Sequence, residues 1–134
     1  MNKLSLTIAS ELTNIREVEH FIEKTIKEFE LPEDIRVNIT LSIMEAVNNS
    51  ILYGNKQNSQ KLIKLAAFKG RQKAIFTIED EGEGFDFKNI FDPTTPENLE
   101  KATGRGLYLM THLTDELLFA KNGAKVIMIF SLIG

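Results

Sequence analysis

The chain has 134 residues, an apolar fraction of 43%, a charged fraction of 26% and a formal net charge of -3. This length and composition are typical of one soluble globular domain with a buried core, and we expect residues 1–134 to form a single domain. The weak negative charge argues against direct binding of nucleic acid or of an anionic membrane surface. The absence of cysteine excludes disulfides and thiolate chemistry and fits a cytoplasmic chain, and no apolar run reaches membrane-spanning length.

The N-terminal region predicts a strand followed by a helix. Leu4, Leu6 and Ile8 alternate with polar residues, which indicates a half-buried strand. A helix is expected to begin between Ser10 and Thr13, because apolar residues then recur at helical spacing while charged residues lie outside that stripe. The apolar positions of this helix are Ile15, Val18, Phe21, Ile22, Ile26 and Phe29.

A second helix is predicted from Pro32 to about Tyr53, with Gly54 as a left-handed cap. Its apolar stripe consists of Ile35, Ile39, Ile43, Val47 and Ile51. Glu45 and Asn49 are four residues apart, so their side chains share one face of the helix. A carboxylate and an amide oxygen side by side can serve a proton and a cation, although such a pair taken alone is common on a solvated helix face.

The rest of the chain predicts four strands, a long loop and a third helix. The strands are expected at 62–68, 74–79, 117–120 and 126–132. Residues 86–103 contain two prolines and few apolar residues, which is typical of a functional or mobile loop. The third helix is expected to open at Gly104, with Leu107 and Met110 on one side, and Asn122–Gly123 indicates a hairpin.

The order of these elements predicts an α+β two-layer sandwich, in which a mixed, mostly antiparallel sheet carries three helices on one face. Both faces of the predicted strands are apolar, since Leu62, Ala66 and Phe68 alternate with Ile63 and Leu65. Helices are available for only one face. The second face therefore predicts a binding surface, and a homodimer is the simplest interpretation.

Two stretches rich in glycine follow the second helix. Asp80-Glu81-Gly82-Glu83-Gly84 comes after a strand, where glycines let the backbone approach a flat or phosphorylated ligand and a carboxylate can accept a hydrogen bond from an amino group. Gly104-Arg105-Gly106 opens a helix, whose free N–H groups and dipole favour an anion, and Arg105 adds a permanent charge. Each stretch alone is also compatible with a plain turn. The sequence has no P-loop motif and no His/Cys cluster at metal spacing.

Taken together, in this order and spacing, the three stretches resemble the nucleotide-binding domain of the GHKL or Bergerat fold, which DNA gyrase, a heat-shock chaperone, histidine kinases and a mismatch-repair protein share. EAVNNSILYGN resembles its N box, EDEGEGFD its first glycine box and TGRGLYLM its second. Within that superfamily the chain most closely resembles the anti-sigma-factor serine/threonine kinases of the SpoIIAB and RsbW group, over essentially its whole length.

The resemblance implies a role for each matched residue. Glu45 matches the glutamate thought to act as general base, Asn49 the asparagine that coordinates Mg²⁺, and Asp80 the aspartate that binds the adenine amino group. The positions implied to shape the pocket or to meet the phosphates are Gly82, Gly84, Gly104, Arg105, Gly106 and Leu107. Residues 86–103 would then form the ATP lid.

The same resemblance implies ATP and Mg²⁺ as cofactors. The expected phospho-acceptor is a serine or threonine of an anti-sigma-factor antagonist, a STAS-type protein, and a sigma factor is the alternative partner. Two other interpretations stay open: a non-catalytic ATP-binding regulatory module, and a stand-alone ATPase domain of the histidine-kinase type. Two positions depart from the group, because Tyr53 replaces a common histidine and Ala124 lacks the hydroxyl of a common threonine.

Overall fold

The structure, a computed structural model, describes residues 2–84 and 102–133, apart from the side chains of 102–105. The strands are β1 (Lys3–Ala9), β2 (Leu62–Lys69), β3 (Lys73–Glu79), β4 (Glu116–Ala120) and β5 (Lys125–Ser131). The α-helices are α1 (Ile15–Glu28), α2 (Arg36–Asn49) and α3 (Ala102–Leu113). The described strands form one five-stranded sheet in the order β1-β2-β3-β5-β4, with every neighbouring pair antiparallel. The predicted α+β architecture is confirmed.

Helix α2 lies at the centre of the helical layer and packs against α1, α3, β3 and β5. The inward side chains of its predicted stripe are 0–1% exposed at Ile39, Ile43, Val47 and Ile51, the last of these just beyond the α-helix. These residues are β-branched, which lowers intrinsic helix propensity. Burial of this stripe therefore stabilises α2 where local preference does not.

The three helices cover one face of the sheet. Side chains that point toward them are buried, including Leu65, Phe76 and Met128, with exposures of 3%, 1% and 0%. Phe76 and Phe130, on the neighbouring strands β3 and β5, meet edge to face with ring centres 5.9 Å apart. The main core thus lies between α2 and the middle of the sheet.

The opposite face of the sheet carries no helix among the described residues, and it is partly apolar, as the alternation predicted. The strand register places its apolar side chains in adjacent rows. We define the open face by Ala66, Phe68, Ile75, Leu118, Ile127 and Ile129. Leu118 is 47% exposed there, so this surface is available for an apolar contact.

The C-terminal end of α2 differs from the prediction. The α-helix ends at Asn49 and continues as a π-turn, Ser50–Gly54, in which the N–H of Asn55 donates to the carbonyl of Ser50 at 2.7 Å. The predicted left-handed cap at Gly54 is wrong, because positive φ occurs instead at the two residues after Asn55, with values of 53° and 58°. Because the π-turn is wider than an α-turn, the left-handed residues that end the helical segment begin two positions after Gly54.

Helix α3 also begins earlier than predicted, at Ala102 and not at Gly104. Alanine is the strongest helix former, which favours extending the first turn back over Ala102 and Thr103. Leu107 and Met110 are buried on one side, as expected. Of the predicted lid, residues 86–101 lie outside the described residues. Within the described chain no helix is both long and apolar enough to cross a bilayer.

Candidate functional site

Helices α2 and α3 bring the first and third predicted stretches together. Glu45 and Asn49 lie on the face of α2 that meets the first turn of α3, where Gly106 is buried. A Cβ atom added to Gly106 would lie 2.6 Å from Glu45 Oε2 and 3.1 Å from Asn49 Nδ2. A glycine at this position therefore leaves room for the carboxylate and the amide, and keeps them next to the N-terminal end of α3.

The amide of Asn49 is incompletely satisfied. Its Nδ2 is buried and has no hydrogen-bond partner among the described residues. Rotation about the last side-chain bond exchanges the amide nitrogen and oxygen, and the oxygen is a ligand that Mg²⁺ accepts. The described residues contain no group of three or more His, Cys, Asp or Glu side chains that could hold a metal. One amide oxygen fits Mg²⁺ that is held mainly by phosphate and water oxygens.

The second stretch lies beside the π-turn that follows the C-terminal end of α2. Asp80, which directly follows β3, lies against Gly54 at the end of the π-turn. A Cβ atom on Gly54 would lie 2.5 Å from Asp80 Cγ and closer still to Asp80 Oδ2. Glycine is thus required at position 54 for space and not for backbone conformation.

Two donors orient the carboxylate of Asp80. The N–H of Gly82 donates to Asp80 Oδ1 at 2.8 Å, and the hydroxyl of Ser50 also hydrogen-bonds the Asp80 carboxylate. Burial nevertheless raises the pKa of Asp80 above its ordinary value, and this effect outweighs the opposing effect of the two hydrogen bonds. The carboxylate is a partly desolvated acceptor, which strengthens a hydrogen bond from a ligand amino group.

The glycines of the turn after β3 permit close packing of backbone segments. A Cβ atom on Gly82 would lie 2.7 Å from the carbonyl carbon of Gly54, and one on Gly84 would lie 2.7 Å from the carbonyl carbon of Asn122. Gly84 also has φ of 90°, which L-residues rarely adopt. Both predicted glycines therefore shape the turn that carries Asp80.

The β4–β5 hairpin supports the same turn from the other side. The N–H of Asp80 donates to the carbonyl of Ala124 at 2.9 Å. The ammonium of Lys121, in the hairpin turn, hydrogen-bonds the carboxylate of Glu79 and lowers the pKa of Glu79. The predicted hairpin thus has a second role, because it fixes the end of β3 where Asp80 begins the turn.

A pocket with about 530 Å³ of empty space, in part open to solvent, lies between these elements. It is lined by Ala46, Asn49, Ser50, Tyr53, Gly54, Ile78, Asp80, Gly84, Leu107, Met110, Phe119, Gly123, Ala124 and Val126. Among the lining residues that the structure describes, Asp80 is the only charged side chain, and most of the others are apolar. Apolar walls with a few convergent polar groups are typical of a site for a flat heterocycle.

Most of the predicted site residues therefore converge around this pocket. Glu45, Asn49, Asp80, Gly82, Gly84, Gly106 and Leu107 lie in or beside the pocket. The backbone of Gly104 and Arg105 lies in the first turn of α3, but the side chain of Arg105 is outside the described part of the structure. Tyr53 and Ala124, the two departures, both line the pocket, with Tyr53 47% exposed and Ala124 buried.

Sequence reasoning missed three polar residues near Asp80. Ser50 hydrogen-bonds the Asp80 carboxylate, and Asn55 and Glu81 join the π-turn to the glycine turn. Asn55 directly follows the predicted end of the second helix, and it is 1% exposed. The one available signal was its place directly after the Tyr53–Gly54 pair, since an asparagine at a helix end often hydrogen-bonds local backbone.

Comparison with known proteins finds similarity in sequence and in fold. Residues 8–130 match the family described as histidine kinase-like ATPase domain. A relative, the anti-sigma F factor of Clostridium novyi (strain NT), is 26% identical over 133 residues, which cover 95% of this chain and 92% of the relative. The crystal structure of the RsbU and RsbW domains of a Mycobacterium tuberculosis protein matches 98% of this chain with a TM-score of 0.65 and 16% identity.

That solved structure supports the fold alone, because this chain spans 31% of the matched chain at low identity. The family match extends over most of the 134 residues, from β1 to β5, and includes all the elements that build the pocket. ATP binding is the property that this family's description implies. The chain therefore belongs to the histidine kinase-like ATPase domain family, with the GHKL fold and a likeness to anti-sigma factors.

Proposed function

We propose that this protein is an ATP-dependent serine/threonine protein kinase and anti-sigma factor. In this proposal it phosphorylates a serine or threonine of a STAS-type anti-sigma-factor antagonist and sequesters a sigma factor. The observation that carries the proposal is the contact of Gly106 with both Glu45 and Asn49, beside a pocket whose lining includes Asn49 and Asp80. A base-binding region and a carboxylate next to the N-terminus of a helix are what phosphoryl transfer to a hydroxyl requires.

Each described residue has a chemical task in this proposal. Asp80 accepts a hydrogen bond from the adenine amino group, and the apolar walls exclude water from the base. The N-terminal N–H groups of α3 attract the phosphates. Glu45 accepts the proton of the acceptor hydroxyl as that oxygen bonds the γ-phosphorus and the bond to the ADP oxygen breaks. Mg²⁺, when held at Asn49 and the phosphates, would neutralise negative charge on the phosphates.

The proposed partners are supported by a relative. The Clostridium novyi relative is an anti-sigma F factor that shares 26% of its residues with this chain over nearly the full length of both. This likeness favours a sigma factor and its antagonist as partners over an acceptor histidine on another protein.

The decisive experiment combines nucleotide binding with phosphoryl transfer. The purified chain is titrated with ATP and Mg²⁺ by calorimetry and is then incubated with γ-labelled ATP and STAS-type proteins encoded in the same genome. We expect Glu45→Gln to bind ATP like wild type and to transfer label roughly 10²- to 10⁴-fold more slowly, because it lacks the general base. Asn49→Ala should lose the Mg²⁺-dependent part of the binding.

Glu33→Gln is the matched control, because Glu33 is an exposed carboxylate before α2 and away from the pocket. It should bind and transfer like wild type. ATP binding without transfer to any acceptor would favour the non-catalytic regulatory module. Full transfer by Glu45→Gln would remove Glu45 from the mechanism, and a wild type that binds no adenine nucleotide would refute the proposal.

A further inference from the structure

Three segments around the pocket are joined by a closed circuit of hydrogen bonds. The N–H of Glu81 donates to Asn55 Oδ1 at 2.8 Å, and Asn55 Nδ2 donates to the carbonyl of Leu62 at 3.1 Å. The N–H of Leu62 donates to the carboxylate of Glu81, which closes the circuit. Asn55 thus uses both ends of its amide, and the circuit ties the π-turn to the start of β2 and to the glycine turn.

The circuit includes the residue that directly follows Asp80 in the chain. Glu81 follows Asp80 in the chain, so fixing the N–H of Glu81 fixes the peptide that carries the Asp80 carbonyl. The N–H of Asn55 also holds the carbonyl of Ser50, whose hydroxyl hydrogen-bonds the Asp80 carboxylate. The side chain of Asn55 therefore acts on Asp80 through the glycine turn, while its backbone N–H holds the π-turn beside it.

The burial of Asn55 shows how its amide constrains the two turns. Its side chain is almost fully enclosed, with 1% of the residue exposed. Because both of its side-chain hydrogen bonds are part-buried, loss of the amide would take from the N–H of Glu81 and the carbonyl of Leu62 the protein partner that orients them. Glycines at 54 and 82 supply no side chains to hold the two turns in place. Hydrogen bonds through Asn55 supply that constraint instead.

We propose that Asn55, acting through the circuit with Leu62 and Glu81, is a positioning residue that orients the Asp80 carboxylate for recognition of the purine amino group. The inference rests on the proposed function, in which Asp80 binds adenine. It adds a selectivity role for a residue that touches neither nucleotide nor acceptor. Its loss should impair base discrimination more than phosphate binding.

The test compares ATP with purine riboside triphosphate, which lacks the amino group, by calorimetric titration. Wild type should prefer ATP. In Asn55→Ala we expect ATP to bind roughly 5- to 30-fold more weakly, with a smaller loss for the analogue, so that the preference falls. Amide hydrogen exchange at Glu81 should also become faster in Asn55→Ala without nucleotide.

Two controls separate positioning from general destabilisation. Val18→Ala removes buried volume from α1, outside the pocket lining, and should lower the melting temperature without changing the preference for ATP. Should Asn55→Ala fail to fold, Glu81→Ala replaces it, because the Glu81 side chain is on the surface and only the hydrogen bond to Leu62 is lost. Glu83→Ala is its matched control, an exposed carboxylate of the same turn that has no side-chain hydrogen bond to the described residues.

The outcomes are distinguishable. A reduced ATP preference in the circuit variants, but not in Val18→Ala or Glu83→Ala, supports the inference. An unchanged preference in a folded Asn55→Ala or Glu81→Ala overturns it while leaving the proposed function intact. A wild type without affinity for either triphosphate contradicts the proposed function itself, and the selectivity role fails with it.

Discussion

Glycines at two positions keep space beside the carboxylates of the candidate site. Gly54 lies beside Asp80, and Gly106 lies beside Glu45. The sequence indicated that glycines matter here, and it predicted one site from Glu45, Asn49 and Asp80. The structure places these residues in or beside one pocket, and their roles stay a prediction. The sequence assigned Gly54 a backbone role, because a glycine after a helix is usually a left-handed cap. Its true neighbour, Asp80, is far away in the chain and meets it only after folding.

Substitution of Gly54 tests this spatial role. In Gly54→Ala, the new methyl group would overlap the Asp80 carboxylate, so that side chain must turn away from its place in the pocket. We expect ATP affinity to fall by roughly tenfold or more. Gly70→Ala is the control, because its Cβ would have ordinary contact at 3.6 Å from the carbonyl oxygen of Lys73. Equal ATP affinity of the two variants by calorimetry would contradict the spatial role.

The raised pKa of Asp80 predicts that its charge lowers the folding stability at pH 7 while it favours binding of the nucleotide. A folded-state pKa above the ordinary value of 3.8 means that the folded protein holds this proton more tightly than the unfolded chain. The stabilisation from Asp80 is therefore complete below pH 3.8 and is lost as the pH rises through the raised folded-state pKa. At pH 7 the protein bears the desolvation cost of the buried charge.

Asp80→Asn removes that charge and keeps an acceptor for Gly82 and Ser50. Without nucleotide, we expect the variant to be more stable than wild type at pH 7, with the difference shrinking as the pH approaches 3.8. Its affinity for ATP should fall roughly 10- to 100-fold, the value of one hydrogen bond to a charged group. Denaturant titrations at several pH values provide the measurement. A variant that is less stable than wild type at pH 7 would contradict this sign.

At the scale of an element, helix α2 was predictable from the sequence, but the turn that ends it was not. Its apolar spacing predicted the helix, the buried face and the pairing of Glu45 with Asn49, and all of these agree with the structure. The π-turn at its end was not predictable, because apolar periodicity does not distinguish a widened turn from an α-turn. Packing of Gly54 against Asp80 and the enclosure of Asn55 decide that geometry. This single turn of backbone contributes Ser50, Tyr53 and Gly54 to the pocket lining.

Because burial and not propensity stabilises α2, its inward positions should be far more sensitive than its outward ones. Ile43→Ala, at 1% exposure, is expected to cost about 2–5 kcal/mol of unfolding free energy. Val37→Ala, on the same helix at 66% exposure, should change it by about 0.5 kcal/mol or less. Urea unfolding followed by circular dichroism measures both. Similar losses for the two variants would mean that helix propensity dominates.

At the scale of the whole molecule, the sheet presents helices on one side and the open face on the other. The prediction that both faces of the strands are apolar was correct, and it follows from strict alternation along β2, β3 and β5. We propose that the open face is where two copies of the chain meet. A stable protein–protein interface needs about 800 Å² per partner, which is a large part of one sheet face.

A charge on the open face should therefore separate the copies. In Leu118→Glu, a carboxylate would be placed in the interface, and we expect sedimentation to show a monomer at concentrations where wild type is a dimer. Leu41→Glu is the matched control, since Leu41 lies on α2 with 45% exposure, against 47% for Leu118. Both variants should fold like wild type by circular dichroism. A wild type that stays monomeric at all concentrations would rule out the dimer.

The sequence by itself determined the α+β architecture, the core stripe of α2 and the hairpins, because these depend on periodicity and local turn chemistry. The polar residues of the candidate site were predicted from a family resemblance, and their roles stay a prediction. Only the tertiary structure decided which atoms meet. It placed Gly106 against Glu45 and Asn49, Gly54 against Asp80, and the amide of Asn55 between Leu62 and Glu81. These contacts join segments that are distant in the chain, so no local pattern encodes them, and they arise when burial of the core brings the segments together.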